Sequence, residues 1–351
     1  MRRSLLEILV DPVSKTPLEV EAGRTESDEI VEGTLRGAEG RSYGVTNGIP
    51  RFVLTEDEAQ KQTEHSFGFK WQQMNTYDSP SMREASQKWI VQRYGFSSAE
   101  EMQAFFGSRR RILDAGCGGG FSSSLWMTPA WRAGGHAEWV GADISVAVDV
   151  ARRRLGEIPG THFVQADILQ LPFRQGSFDT IFSDGVLHHT PSTEEALKSV
   201  AAVLAPGGQA LFYVYRKKSP VREFTDDYIR DVVSSLEPQE AWEMLRPLTK
   251  LGKALADLNA EVDVPEDIPY LGIKAGRHNV QRLIYWHFAK LYWNEAFSLE
   301  ENNHVNFDWY HPRYAHRHSE AEVRRWCEEA GLSVIHLDAQ ESGYTVRAVK
   351  G

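Results

Sequence analysis

The chain of 351 residues has only two cysteines, Cys117 and Cys327, which rules out a disulfide framework. No apolar run reaches the length of a membrane span, and the opening "MRRSLLEILVDPVSK" has neither the apolar core nor the cleavage site of a secretory signal. Positive charge is also scarce: 39 Lys and Arg stand against 49 Asp and Glu, a net charge of −10. Neutralising phosphates takes a surplus of Lys and Arg, so this balance argues against a general nucleic-acid binder, although it leaves room for a local basic cleft. Together these absences lead us to expect a cytoplasmic protein. What remains is an ordinary globular composition, 41% hydrophobic and 25% charged, over a length that suits two domains or one with a large insertion.

Glycine is concentrated in "ILDAGCGGGFSSSLW", residues 112–126. Ile112 and Leu113 read as the end of a buried strand, and Leu125 and Trp126 as the start of helical patterning. Between them Gly116, Gly118, Gly119 and Gly120 free the backbone and allow a ligand to approach it closely. Strand, glycine turn and helix in that order form a ligand cradle. From 111 onward strand candidates recur at 111–114, 137–143, 161–167, 178–185 and 208–216. Helical segments at 120–127, 145–155 and 193–208 separate them, the last closed by Pro206-Gly207-Gly208. Such alternation implies a parallel sheet with both faces covered. It lapses from 216 to 318 and resumes with "SEAEVRRWCEEAGL", where Ser319 and Glu322 have capping-box spacing and Gly331 is a stop. The strands "SVIHLDA" and "YTVRAV" complete it.

Ligands of such sheets bind beyond the carboxyl ends of the strands. Asp143 ends the second strand, Asp167 follows the third and "SDGVLHH" follows the fourth. An acidic residue after strand two suits bidentate hydrogen bonding to ribose hydroxyls. A dinucleotide would meet that requirement, but Asp114 just before the glycines would repel its pyrophosphate. A ligand with an ammonium group and no phosphate fits better.

At this point the chain resembles the class I S-adenosylmethionine-dependent methyltransferases, in particular the type 11 group. The resemblance is carried by "ILDAGCGGG", "VGADIS", "VQADILQLPFRQGSFDTIFSDGVLHHT" and "VLAPGG" in the family's order. It implies an α/β fold with a Rossmann-like seven-stranded sheet, a small β-rich N-terminal unit and a mainly helical insertion. The expected parts are a leader at 1–55, a core at 66–215, a substrate-covering insertion at 216–318, and the last helix and strand hairpin at 319–351. The implied cofactor is S-adenosyl-L-methionine, its methionine part surrounded by Asp114, Gly116 and Gly118. Asp143 would hold the ribose hydroxyls and Ile144 would lie against the adenine. Asp167 and Ile168 would address the adenine edge, and Ser183 would floor the methyl group.

The leader, with "LLEILVDPVSKTPLEV" and "GRSYGVTNGIP", resembles a small zinc-ribbon family found as methyltransferase activator subunits and as fused leaders. That family's Cys-x-x-Cys pairs fall here on Asp11/Ser14 and Arg36/Glu39, so no zinc site is expected. An Asp11–Arg36 ion pair could replace it, or these could be solvated turn residues. "LTEDEAQKQTEH" reads as a linker or a solvated helix. In the insertion, Tyr285, Phe288 and Tyr292 fall on one helix face, a packing stripe first and a ligand box second. "NFDWYHPRYAHRHS" has aromatics and histidines without helical period, and reads as a loop able to lower groups into a pocket. His304, His311, His316 and His318 form no known metal pattern. The acceptor contacts expected are Tyr310, His311, Tyr314 and His316, with His189 below them, one of these histidines being a candidate base. The reading is methyl transfer to a small or medium-sized acceptor of natural-product, glycan or metabolite type, by in-line displacement. Its alternatives are an RNA-base methyltransferase and a non-catalytic cofactor-binding partner of another enzyme.

Overall fold

Strand-forming runs near the N-terminus pair with their sequence neighbours, and those after residue 110 pair across helices. The computed structural model describes residues 1–54, 56–73, 76–127, 131 and 137–351. Strands β1 (Glu19–Glu26), β2 (Glu29–Arg36), β3 (Ser42–Thr46) and β4 (Ile49–Pro50) form an antiparallel sheet in sequence order. Helices α1 (Glu58–Gln72), α2 (Pro80–Arg93) and α3 (Ala99–Gly107) follow. The acid-rich stretch before α1 is its start rather than a linker: Asp57 caps it by accepting from Gln60 N at 2.8 Å.

The alternating segment supplies β5 (Arg111–Ala115), a one-turn helix α4 (Phe121–Ser124), β6 (Glu138–Asp143), α5 (Ala147–Leu155), β7 (Thr161–Gln165), β8 (Phe178–Asp184), α6 (Thr193–Val203) and β9 (Leu204–Tyr215). Helix α6 stops at Val203, short of the expected 208, because Pro206 drives the residue before it out of the helical region. The insertion contains α7 (Pro220–Val233), α8 (Pro238–Asp257), a small hairpin of β10 (Glu261–Val264) with β11 (Gly276–Asn279), α9 (Val280–His287) and α10 (Leu299–Tyr310). Helix α11 (Glu320–Glu329) then leads into β12 (Leu332–Ala339) and β13 (Gly343–Lys350), and the predicted Ser319–Glu322 capping box is present.

Seven strands make one sheet in the order β12-β13-β9-β8-β5-β6-β7, parallel from β7 to β9 and antiparallel at β13 and β12. The chain moves outward from β5 through β6 to β7, then returns to β8 on the other side of β5. That reversal opens a crevice above the carboxyl ends of β5 and β8.

Two sequence expectations for the insertion fail. Helix α9 ends at His287, so Phe288 and Tyr292 do not continue a stripe with Tyr285. Residues 306–310 are helical rather than loop, because Ser298 and Glu301 form a capping box that starts α10 ahead of them.

The N-terminal unit is built onto the β7 edge. Val10 N donates to Pro172 O at 2.9 Å, Phe52 N donates to Gln165 O at 2.7 Å, and Arg51 forks onto Asp149. Its knuckle is organised by the buried Asp11 carboxylate. This carboxylate accepts from Val13 N, Ser14 N, Arg41 Nε at 3.0 Å and Tyr43 OH at 3.1 Å. The expected Asp11–Arg36 pair does not form. Leu35 is buried, so strand alternation turns Arg36 to solvent, where it pairs with Glu21 at 2.6 Å. Gly37 packs so tightly on Asp11 that a Cβ there would stand 2.1 Å from Oδ2.

Burial alone would raise the Asp11 pKa, but the donors around it bring it down to about 2. A carboxylate depressed in the fold stabilises above its unfolded pKa, near 3.9, and that contribution is lost as pH falls towards 2. Asp11→Ala should therefore cost roughly 1.5–3 kcal/mol in urea unfolding at neutral pH. It should also flatten the stability loss between about pH 4 and pH 2, and added zinc should restore nothing.

Candidate functional site

The glycine turn after β5 is tied to the end of β6. Gly116 N and Cys117 N both donate to Ala142 O, and Gly118 N donates to Asp143 Oδ2 at 2.8 Å. Gly116 and Gly118 have φ of +82° and +52°, a left-handed backbone that disfavours side chains. A Cβ at Gly116 would stand 2.2 Å from Val186, and one at Gly118 would stand 2.4 Å from the Trp71 indole. The other Asp143 oxygen accepts from Ser145 N and Oγ. Burial pushes the Asp143 pKa up, and those donors oppose the rise.

Above the turn lies a cavity of about 540 Å³. Gly116, Asp143, Ile144, Asp167 and Ile168 line one half of it, and Gln60, Thr63, Phe67, Lys70 and Trp71 of α1 cover that half. The other half lies over β8 and β9, walled by Tyr213, Tyr215, Trp309 and residues of the insertion. The cavity thus joins five of the sequence-selected cofactor positions. The other three lie behind it. Asp114 is buried, accepts from Ser123 Oγ at 2.6 Å, and is pushed up to about 7 by burial. Gly118 lies beneath Trp71. Ser183 Oγ donates to Ala115 O at 2.8 Å, bracing β8 against β5.

Of the expected acceptor residues, His189 lines the cavity. Tyr310 OH donates to Asp226 at 2.8 Å, fixing α10 to α7. His311 bonds Ser66 Oγ and Leu236 O, Tyr314 OH donates to Asp57, and His316 is held by its own N–H to His188 O. These four residues join α1, α7 and the end of β8 instead of facing the cavity. Helical geometry explains the Tyr310 miss, since the α10 turn that buries Tyr310 brings Asp308 and Trp309 to the cavity wall.

Two imidazoles in the cavity have definite tautomers. His189 Nδ1 lies 2.5 Å from Tyr314 O, which can only accept, so Nδ1 carries the proton. Thr76 Oγ1 gives its proton to Gln73 O and must accept from His304 Nδ1 at 2.7 Å. Both Nε2 atoms therefore keep a lone pair, and neither has a partner among the described residues. Burial pushes His189 down to about 4 and His304 well below its ordinary value, so both are neutral near pH 7. Beside them Lys70 Nζ meets Asp308 Oδ1 at 2.5 Å. Burial would raise the Asp308 carboxyl, but Lys70 and His189 hold it far below the usual range. Lys70 and Trp71 lie in the aromatic run "FGFKWQQM", whose composition alone does not reveal their role.

Residues 113–212 match the family described as the methyltransferase domain, over the strands and turns that line the cofactor half. The chain carries a class I S-adenosylmethionine-dependent methyltransferase domain. It is 36% identical over 110 residues to the malonyl-[acyl-carrier protein] O-methyltransferase of Erwinia pyrifoliae, covering 30% of this chain and 37% of that protein. It is 30% identical over 152 residues to the phthiotriol/phenolphthiotriol dimycocerosates methyltransferase of Mycobacterium leprae, covering 43% and 55%. It is 27% identical over 245 residues to the tRNA (carboxymethyluridine(34)-5-O)-methyltransferase alkbh8 of Xenopus tropicalis, covering 66% and 34%. The chain thus spans between a third and just over half of these relatives.

S-adenosyl-L-methionine is the cofactor of the methyltransferase domain, and the residues present fit it. Gly116 brings bare backbone to the cavity wall, and the Asp143 carboxylate lies there with one lone pair of Oδ2 still free among the described residues. If Asp143 accepts from the ribose hydroxyls, Asp143→Ala should weaken binding of S-adenosylhomocysteine by roughly 1.5–3 kcal/mol. Titration calorimetry measures this directly, and unchanged affinity would place the ribose elsewhere.

Proposed function

We propose that the protein is an S-adenosylmethionine-dependent methyltransferase acting on a small molecule enclosed beneath the insertion. The carrying observation is that one cavity of about 540 Å³ spans both the glycine turn and the wall built by the insertion. That volume lies within the range of small-molecule sites. The cofactor, when bound, supplies an already activated methyl group on a sulfonium. The protein's task is then to hold an acceptor and orient its lone pair, which is worth up to roughly 7–11 kcal/mol when done well.

Asp143, Asp167, Ile144 and Ile168 would hold the nucleoside, and Gly116 would admit the methionine part. His189 Nε2, on the other half, would accept a hydrogen bond from the acceptor's O–H or N–H and fix its direction. At about 4 its pKa makes it a weak base, so it orients a proton more readily than it removes one. His304 Nε2 offers a second acceptor, and the Lys70–Asp308 pair holds the roof above both.

His189→Phe should lower turnover by at least about tenfold, the worth of one hydrogen bond, while S-adenosylhomocysteine affinity stays within about twofold. Tyr314→Phe should leave turnover nearly unchanged, because its hydroxyl serves Asp57. At saturating acceptor, the wild-type rate should show no His189 titration between about pH 6 and pH 8, and the loss due to His189 should come only as pH approaches 4, where Nε2 takes up a proton. A screen of metabolites and of bulk tRNA with isotope-labelled cofactor tests the acceptor class. Methyl transfer confined to tRNA would overturn the small-molecule reading.

A further inference from the structure

The half of the cavity over β9 gathers four cations, of which Lys290 is buried with no carboxylate partner among the described residues. Lys218 follows β9, Arg222 sits in the first turn of α7, Lys290 follows α9, and Arg282 of α9 stands exposed beside them; all four line the cavity. Arg222 is 1% exposed; its Nε donates to Asp226 at 2.6 Å and one terminal nitrogen donates to Tyr285 O, while the other makes no hydrogen bond among the described residues. Lys290 is 7% exposed, its ammonium 4.4 Å from the centre of the Trp309 ring. Among the described residues it has no side-chain hydrogen bond and no carboxylate within 4.0 Å. Among the described residues the Lys218 ammonium donates only to the carbonyls of Glu341 and Ser342, while its backbone N–H donates to Glu223. Of the carboxylate residues lining this side, Asp308 is held by Lys70, Asp184 accepts from Tyr94 OH, and Glu341 is exposed.

A buried cation without a counter-ion is costly, and Lys290 is one; it shares an aromatic-walled space with half-buried Lys218 and with Arg222, whose charge Asp226 answers. Burial pushes both Lys218 and Lys290 down to about 7. Arg222 adds repulsion at each lysine. Arg230 adds to it at Lys290, where Asp308 and Asp226 oppose it; Lys290 and Arg216 add to it at Lys218, where Glu223 opposes it. The cations are displaced from the cofactor's cradle: β9 lies two strands from β5, about 10 Å at ordinary strand spacing. Asp143 and Asp167 lie on the opposite side of β5 from them.

We propose that Arg222, Lys290 and Lys218 form the binding site for an oxyanion, carboxylate or phosphate ester, carried by a flat apolar acceptor packed between Trp309 and Tyr285, with Arg282 at the mouth. The proposal rests on reading this half of the cavity as the acceptor site. The anion completes the charges that the fold leaves open, and the rings take the apolar body. Such an acceptor has two ends: an oxyanion towards α7 and an O–H or N–H towards His189.

The test is calorimetry on the full chain saturated with S-adenosylhomocysteine, using 1-naphthoate, 1-naphthyl phosphate and the uncharged 1-naphthamide. At least one anion should bind and the amide should not; which anion binds separates a carboxylate site from a phosphate site. Lys290→Met should weaken the anion by about tenfold or more. Exposed Arg282→Gln should weaken it by up to about fivefold. Above pH 7 the free lysines lose their protons, so affinity should fall by up to about tenfold per pH unit for each proton the anion must recruit. Equal binding of the amide, no binding of either anion at millimolar concentration, or wild-type anion affinity in Lys290→Met would each overturn the proposal. Weakened S-adenosylhomocysteine in Lys290→Met would also overturn it, by assigning the cation to the cofactor. Anion binding in a protein that methylates nothing would leave this site standing and remove the methyl-transfer reading instead.

Discussion

Lys70 of α1 and Asp308 of α10 meet at 2.5 Å over the crevice, and both halves of the cavity depend on that meeting. Lys70 is 6% exposed, with its ammonium within 4.6 to 5.5 Å of the Phe67, Trp71 and Tyr77 rings. On one side the pair holds α1 down, so that Trp71 covers Gly118 and Phe67 packs edge-on to His189 at 4.9 Å. On the other it holds α10, which carries His304 and Trp309. A buried pair gains little over an apolar substitute of the same shape, yet removing one partner leaves an unpaired charge at a cost of about 3–5 kcal/mol. It therefore specifies where the roof sits more than it adds stability.

The two halves follow different physical logic. The cofactor half is built from backbone: positive φ, N–H groups strapped to Ala142 and Asp143, and carboxylates at strand ends. Such features are set where the strands end, and α1 only covers them. The half proposed for the acceptor is built from side chains, Tyr213 and Tyr215 of β9 together with residues of the insertion. Among the described residues the Nε2 atoms of His189 and His304 have no partner there, where ordinary interiors pair nearly every buried polar atom.

That difference explains what could be read from the sequence. Glycine spacing and strand-end acids are local signals, so the sheet, the turn and the positions of Asp143, Ile144, Asp167 and Ile168 were legible. Asp114 and Ser183 were named for their place in a motif, but each hydrogen-bonds behind the cavity, a choice set by Ser123 and by the Ala115 carbonyl. The acceptor side was not legible in the same way. "NFDWYHPRYAHRHS" drew notice for its rings and histidines, yet the Ser298 capping box makes its first part helical, and helical rotation presents Asp308 and Trp309 to the cavity while Tyr310 turns to Asp226. Lys290 and Arg222 lie in unremarkable sequence and acquire meaning only through burial, Lys290 with no carboxylate beside it and Arg222 with a donor beyond its Asp226 pair.

Strand β13 lies between β9 and β12, and its first residue pairs with the last of β9, Gly343 with Tyr215. The whole insertion and α11 separate those two partners in sequence. During synthesis at about 5–20 residues per second, β9 therefore waits roughly ten seconds for its outer neighbour. Throughout that interval "ALFYVY", Ala210–Tyr215, is an apolar strand with a bare edge, the kind that recruits other chains. The insertion helices can form meanwhile above the strand ends and pack on Tyr215, but no strand of the insertion among the described residues pairs with the β9 edge. A nascent chain can thus possess its cofactor cradle, its roof and its cations before its sheet is closed. Its hazard is then edge-to-edge association with a neighbour, and the closing hairpin guards against aggregation as much as it completes the core.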